Sequence, residues 1–326
     1  MSTLDSNSSR TVSSNLRVWL HWCRTNSIDP ITGDLNSICE FFSDKLNKNR
    51  AFNTIAGYRS AISEIHNHID GYTVGQHPDV TQAMSAVRKE NPPPVPSDDL
   101  IDISPSLEYI VNLGDNESMQ IRDLSMKTAF LLALVTASRP SDLHRIDITT
   151  ITRSSYGCRF QCIDPKEYKI AIAHSSSTTK KRTKSLFVGP YEENVNLCPL
   201  SAVHSLINRT AQWRITSTTK KALFLISRDP HNPAAVDTIA NWIKELMQRS
   251  SITSSAKDVR SISASLAQNA GADITSVLAL GNWTSNSTFQ RFYQRGIKLM
   301  IEKNKVSELI INEASRNSNA VHVADV

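Results

Sequence analysis

The sequence predicts a mainly α-helical protein with a small β-sheet or hairpin, divided into two domains. The chain has 326 residues, and a single hydrophobic core rarely grows beyond about 250 residues. Apolar residues recur at helical spacing over most of the chain, and one stretch alternates as strands do. Residues 91–97, NPPPVPS, hold four prolines, which exclude a helix and favour an extended linker. We place the domain boundary there.

The N-terminal domain is predicted to be a helical bundle over residues 14–90. Residues 1–13 are rich in serine, threonine and asparagine, and we expect them to be disordered. Three apolar stripes at helical spacing follow. They are formed by Leu16, Val18, Trp19, Trp22 and Cys23, by Ile38, Phe41, Phe42 and Leu46, and by Ile55, Tyr58, Ile62 and Ile65.

The second domain is predicted over residues 98–296, followed by a C-terminal helix and tail at 297–326. Apolar residues alternate at 166–173 and 185–188, which predicts a hairpin whose connecting loop, HSSSTTKKRT, has a basic end. Gly271 and Gly281 are expected to be C-caps of the last two helices before residue 296. Helices are expected at about 122–135, 140–146, 199–209, 237–249, 258–270 and 273–280.

Charge and composition narrow the functional classes. Residues 1–97 carry nine basic and nine acidic side chains, so the whole net charge of +5 lies in the second part of the chain. This mild basic excess favours a nucleic-acid partner. Neither a membrane span nor a secretory signal is predicted. The five cysteines are scattered, and the close pair Cys158 and Cys162 lacks the further ligands of a zinc site. We expect reduced thiols, an intracellular protein and no bound metal.

Three clusters contain the candidate site residues. TASRPSDLHRI (136–146) contains Arg139 at a helix break, with Asp142 three residues on. KDVRSISASLA (257–267) contains Lys257 and Arg260. Taken singly, each cluster fits an ordinary surface ion pair or a solvated helix face. The third cluster, GNWTSNSTFQRFYQR (281–295), holds Trp283 and Tyr293, which singly fit aromatic core residues.

Together, the order and spacing of these clusters resemble the tyrosine recombinase (phage integrase) superfamily. Trp283 lies 23 residues after Arg260, and Tyr293 ten residues after that. The segments ASRPSDL, NLCPLSAVHSLINRT and GNWTSNSTFQRFY look most like the recombinases of DIRS-type retrotransposons and Cryptons. TIAGYRSAISEIH, which contains Arg59, resembles the helical core-binding domain of that group. The resemblance covers roughly residues 15–296.

The resemblance implies that Tyr293 attacks a DNA phosphodiester. A phenol has a pKa of about 10, which basic neighbours lower, so it is both a usable nucleophile and a reversible leaving group. The covalent phosphotyrosyl link stores the bond energy, so no ATP or other cofactor is expected. Arg139 and Arg260 would bind the phosphate oxygens bidentately and stabilise the charged transition state, a role that a metal ion has in other nucleases. Asp142 would orient Arg139, and Trp283 would pack beside the phosphate.

The resemblance also implies a hairpin lysine as the general acid for the leaving 5′-oxygen. Lys180 is the first choice, with Lys181 and Lys184 as rivals. Lys257 stands where the family most often has histidine; lysine is a poor base at neutral pH, so the base that deprotonates Tyr293 stays unassigned. DNA contacts are expected from Lys181, Arg182, Lys184 and Arg59.

At the level of the whole chain, the resemblance implies a two-domain clamp on double-stranded DNA in the nucleus. The C-terminal helix would join copies into a dimer or tetramer, or pack within its own chain. Three alternatives stay open: a catalytically degenerate DNA-binding relative, a type IB topoisomerase, and a non-enzymatic helical adaptor. Supercoil relaxation without site preference would identify the topoisomerase. Binding without a covalent adduct would favour the degenerate relative or the helical adaptor.

Overall fold

The computed structural model describes residues 6–93, 101–163 and 183–283. The chain divides into two compact units, Met1–Pro96 and Ser97–Val326. The architecture is mainly helical with one three-stranded antiparallel sheet, which confirms the predicted fold class. None of the helices in the described ranges is long and apolar enough to cross a bilayer.

The first unit is a helical bundle closed around aromatic side chains. Trp19 and Phe41 are fully buried, and their rings meet edge to face with centroids 5.0 Å apart. Phe41 also contacts Tyr58, so three helices share one core. The helices are α1 (Ser6–Thr25), α2 (Leu35–Asn47), α3 (Phe52–Ile65) and α4 (Pro78–Glu90).

Helix α1 begins at Ser6, inside the segment for which composition predicts disorder. The second half of α1 is anchored by the buried side chains Trp19 and Cys23. Once this half is formed, each further residue toward the N-terminus adds a hydrogen bond without a new nucleation cost. A polar sequence can therefore continue the helix.

The second unit is built around one buried helix. Among the described residues its α-helices are α5 (Ser104–Asn112), α6 (Ile121–Thr136), α7 (Pro140–His144), α8 (Pro199–Arg209), α9 (Val236–Ser250), α10 (Asp258–Asn269) and α11 (Ile274–Gly281). Residues 124–133 of α6 are all buried, as in a helix that is covered on every side. Helix α6 contacts α7, α8, α9, α10 and the third strand, so it positions most of the unit.

The sheet has the order β1 (Ile146–Ser154), β2 (Gly157–Ile163) and β3 (Thr183–Val188). Strand β3 includes the predicted strand at 185–188, but its partner is β2: Cys158 lies opposite Val188, and Ile163 opposite Thr183. The sequence assigned that partner to residues 166–173, which lie outside the described residues. Strand β2 was missed because two of its inward residues, Cys158 and Cys162, were interpreted only as thiols, whereas a buried cysteine packs as a small hydrophobic residue.

Candidate active site

A left-handed residue ends helix α6 and leads into the segment that carries Arg139. Ala137 has a φ of 47° and is fully buried. The chain then extends, and Arg139 becomes the N-cap residue of α7, with Pro140 at the first helical position. A non-glycine residue in this conformation is strained and persists only where its surroundings hold it. The carbonyl of Ala137 provides one reason, because it accepts a hydrogen bond from Arg260.

Asp142 lies beneath this turn and is completely buried. Its Oδ2 atom accepts a hydrogen bond from the backbone N–H of Arg139 at 3.3 Å and lies 3.9 Å from a terminal nitrogen of the Arg139 guanidinium. The Arg139 side chain itself is 30% exposed. The structure thus brings Asp142 to Arg139, with the carboxylate below the backbone and the guanidinium at the surface.

Arg260 is buried, although an arginine on an amphipathic helix such as α10 usually faces solvent. Only 3% of the residue is exposed. Its two terminal nitrogens donate to the carbonyl oxygens of Ala137 and Gly281, each at 2.5 Å. The ends of α6 and α11 are therefore joined through one guanidinium, and a hydrogen-bonded cation is fixed beside the turn that carries Arg139.

Trp283 covers the other side of this guanidinium. The Arg260 guanidinium lies 4.2 Å from the centroid of the Trp283 ring, within the range of a cation–π contact. A Cβ atom on Gly281 would overlap the Trp283 ring, so only glycine permits this packing. The prediction of Gly281 as a C-cap is therefore wrong: Gly281 is the last residue of α11, and Asn282, with a φ of 52°, is the left-handed cap.

The remaining predicted site residues are distributed differently. Lys184 is buried and its Nζ lies 3.1 Å from Asp142 Oδ2, which differs from the expectation of a DNA-contacting side chain. Lys257 is exposed immediately before α10, and Arg59 is half-buried in α3 of the first unit. The structure therefore brings together Arg139, Asp142, Lys184, Arg260 and Trp283. Tyr293, Lys180, Lys181 and Arg182 lie outside the described residues.

Two further cations, one fully buried and one half-buried, were not predicted from the sequence. Lys127 on α6 is fully buried, and this desolvation lowers its pKa to about 8 despite the opposing charge of Asp115. Arg214 donates to the carbonyls of Thr219 and Leu223, and its burial lowers its pKa to about 10. The position of Lys127 within the buried, mainly apolar part of α6 was the available signal. No local pattern marks Arg214, because most of its acceptors are main-chain carbonyls of the following loop, and one is the Thr210 hydroxyl.

Comparisons with known proteins give a consistent fold. No family model and no curated protein matches this chain. Among solved structures, a fragment of the Tn1549 transposon integrase in complex with circular intermediate DNA has a TM-score of 0.57 and 12% identity, over 92% of this chain and 94% of that one. The XerH site-specific recombinase bound to palindromic difH substrate, in a post-cleavage complex, has a TM-score of 0.58 and 13% identity. The match covers 92% of this chain and 79% of that one.

A third similar structure is a fragment of lambda integrase, solved as a dimer bound to a COC′ core site. Its TM-score is 0.51 and its identity 13%, over 90% of this chain and 91% of that one. These neighbours are tyrosine recombinases and integrases. At such identities the likeness concerns the fold, and the chain has the fold of that class of proteins.

Proposed function

We propose that this chain is a tyrosine recombinase that cuts and rejoins duplex DNA through a covalent phosphotyrosyl intermediate. The observation that carries the proposal is the buried cation Arg260, held by two carbonyls and Trp283 beside the turn that carries Arg139. Placing a charged guanidinium away from water is costly unless hydrogen bonds and favourable electrostatic contacts replace its hydration, as the two carbonyls and the Trp283 ring do here. A preorganised cation of this kind suits a reaction that develops negative charge on a phosphate.

The proposed reaction proceeds in reversible steps. The Tyr293 phenol gives up its proton to a base that stays unassigned, and its oxygen forms a bond to phosphorus while the bond from phosphorus to the 5′-oxygen breaks. Lys180 gives a proton to that oxygen, which leaves as a 5′-hydroxyl. A 3′-phosphotyrosyl link remains, and attack by a 5′-hydroxyl reverses the step and rejoins the strands. Arg139 stabilises the charge on the non-bridging oxygens by direct contact in both directions. The buried Arg260 contributes through its positive charge and by holding the turn that carries Arg139.

The proposal extends to the setting of the reaction. The three neighbours described above were each solved with DNA, and lambda integrase as a dimer. Together with the basic excess of residues 98–326, this supports duplex DNA as the substrate and a dimer or tetramer as the acting form. We propose that the two units close around the duplex, and that the C-terminal segment joins the copies. We further propose a mobile genetic element of the DIRS or Crypton type as the origin, and the nucleus as the place of action.

The test uses nicked duplexes tiled across the DNA that flanks the coding sequence. Each duplex is incubated with wild type, Tyr293→Phe or Tyr156→Phe; Tyr156 is an exposed control tyrosine, with 79% of its surface accessible. We expect a denaturant-resistant protein–DNA band with wild type and Tyr156→Phe only. An adduct that persists in Tyr293→Phe would identify a different nucleophile. Tight DNA binding by wild type with no adduct would favour the degenerate DNA-binding relative.

A further inference from the structure

Lys184 occupies an inward-facing position of β3. Along this strand exposure alternates, and Lys184, Leu186 and Val188 are the three buried residues. A lysine at such a position is unusual, because its ammonium must leave water when the strand packs. Lys184 is only 3% exposed. Its side chain therefore needs an anionic partner inside the protein.

That partner is Asp142. Lys184 Nζ donates to Asp142 Oδ2 at 3.1 Å, and both side chains are almost fully buried. The same oxygen accepts from the backbone N–H of Arg139 and lies 3.9 Å from its guanidinium. One carboxylate oxygen thus connects β3 with the N-terminus of α7. Removing one member of a buried ion pair leaves the other charge without compensation, which is far more costly than losing an exposed pair.

We infer that Lys184 is a positioning residue that orients Arg139 through Asp142. The inference rests on the proposed function, and it separates Lys184 from Lys180 and Lys181, which precede β3 in the sequence. A general acid must reach the leaving oxygen of the DNA, whereas the Lys184 ammonium is directed to a buried carboxylate. Lys184 fixes the Asp142 carboxylate, the carboxylate fixes the backbone of Arg139, and the guanidinium is presented at a defined place.

A substrate with sulfur in place of the bridging 5′-oxygen distinguishes the two roles. Sulfur leaves as a thiolate and needs no proton, because thiols are far more acidic than alcohols. Loss of the general acid is therefore repaired by sulfur, whereas loss of Arg139 positioning is not. The measurement is the single-turnover rate constant of adduct formation with nicked duplexes carrying oxygen or sulfur. Partial unfolding lowers the amplitude of this reaction, whereas a misplaced Arg139 lowers its rate constant.

We expect Lys184→Met to be slower by roughly 100-fold on both substrates, the cost typical of a misplacement of about 1 Å at a reacting centre. The general-acid variant, Lys180→Ala or Lys181→Ala, should lose about 100-fold or more on oxygen and recover on sulfur. Recovery of Lys184→Met on sulfur would overturn the inference and make Lys184 the acid. An unchanged rate on both substrates would overturn it as well.

A double-mutant cycle tests whether Lys184 acts through Asp142. We expect Lys184→Met to add no further loss of rate to Asp142→Asn, because the carboxylate it orients is already absent. Two independent losses that multiply would contradict this route.

A binding measurement keeps this inference separate from the proposed reaction. In the Tyr293→Phe background, Lys184→Met should weaken binding of the intact duplex several-fold when Arg139 is present and not in Arg139→Ala. Equal weakening in both backgrounds would refute the coupling. If wild-type protein forms no adduct, the proposed function fails, and this binding cycle still decides the role of Lys184.

Discussion

Replacing Lys127 with methionine should stabilise the second unit near neutral pH. Methionine keeps the length of the side chain and removes an ammonium that is fully buried and has no hydrogen-bond partner among the described residues. Burial lowers the pKa of Lys127 from 10.5 to about 8. A difference of one pKa unit between the folded and unfolded states corresponds to about 1.4 kcal/mol, so the cost of burying this charge is about 3 kcal/mol.

The pH dependence follows from the direction of this shift. Between pH 8 and pH 10.5 the unfolded chain holds a proton that the folded chain has released. The free energy of unfolding of the wild type therefore rises with pH across this window, and the full cost of about 3 kcal/mol applies below pH 8. Lys127→Met should gain about 3 kcal/mol at pH 7 and lose this advantage as the pH approaches 10.5.

The assay is urea unfolding followed by circular dichroism at pH 7, 8, 9 and 10, using the transition of the second unit. Lys244→Met, an exposed lysine on α9, is the matched control and should differ from wild type by the same small amount at every pH. A gain of Lys127→Met that does not change with pH, or a loss of stability at pH 7, would refute the assignment of a buried, uncompensated ammonium.

Two further substitutions test the packing at the site and the contribution of an exposed ion pair to stability. Gly281→Ala should displace the Trp283 ring, because the added Cβ would overlap it, and should therefore slow adduct formation. Thr275→Ala, an exposed control on the same helix, should leave the rate unchanged. Equal rates for both variants would contradict the close-packing argument. Glu245→Gln removes the 2.7 Å ion pair between Glu245 and Arg122, whose side chains are 39% and 46% exposed respectively. Thermal unfolding should therefore show that the free energy of unfolding falls by less than about 1 kcal/mol, and that this loss shrinks with added salt.

The helices were predictable because their signals are local. Pro199 at the first position and the apolar stripe after it define α8, and the stripe at Ile239, Trp242, Ile243 and Leu246 defines α9, whose bounds differ from the prediction by one residue at each end. The inward cysteines hid strand β2 from the sequence analysis, and its pairing with β3 across the 19-residue segment 164–182 is a long-range property that no local pattern shows.

The residues of the site could be predicted from the sequence, but the hydrogen bonds and ion pairs that join them could not. Spacing and resemblance identified Arg139, Asp142, Arg260 and Trp283 as a group. Arg260 is held by main-chain carbonyls of residues 137 and 281, and an acceptor that every residue possesses cannot be recognised in a sequence. Lys184 belongs to a basic stretch in the sequence, and only the alternation of β3 separates it from its neighbours.

The two ways in which cations are held here have opposite evolutionary consequences. Arg260 binds main-chain oxygens, which every residue possesses, so changes of side chain at position 137 cannot delete an acceptor. Lys184 and Asp142 hold each other by side chains, and a change in either leaves a buried charge behind. As copies of this gene diverge, position 260 should therefore stay constant even where the side chain at position 137 changes, while positions 142 and 184 should change only as a pair.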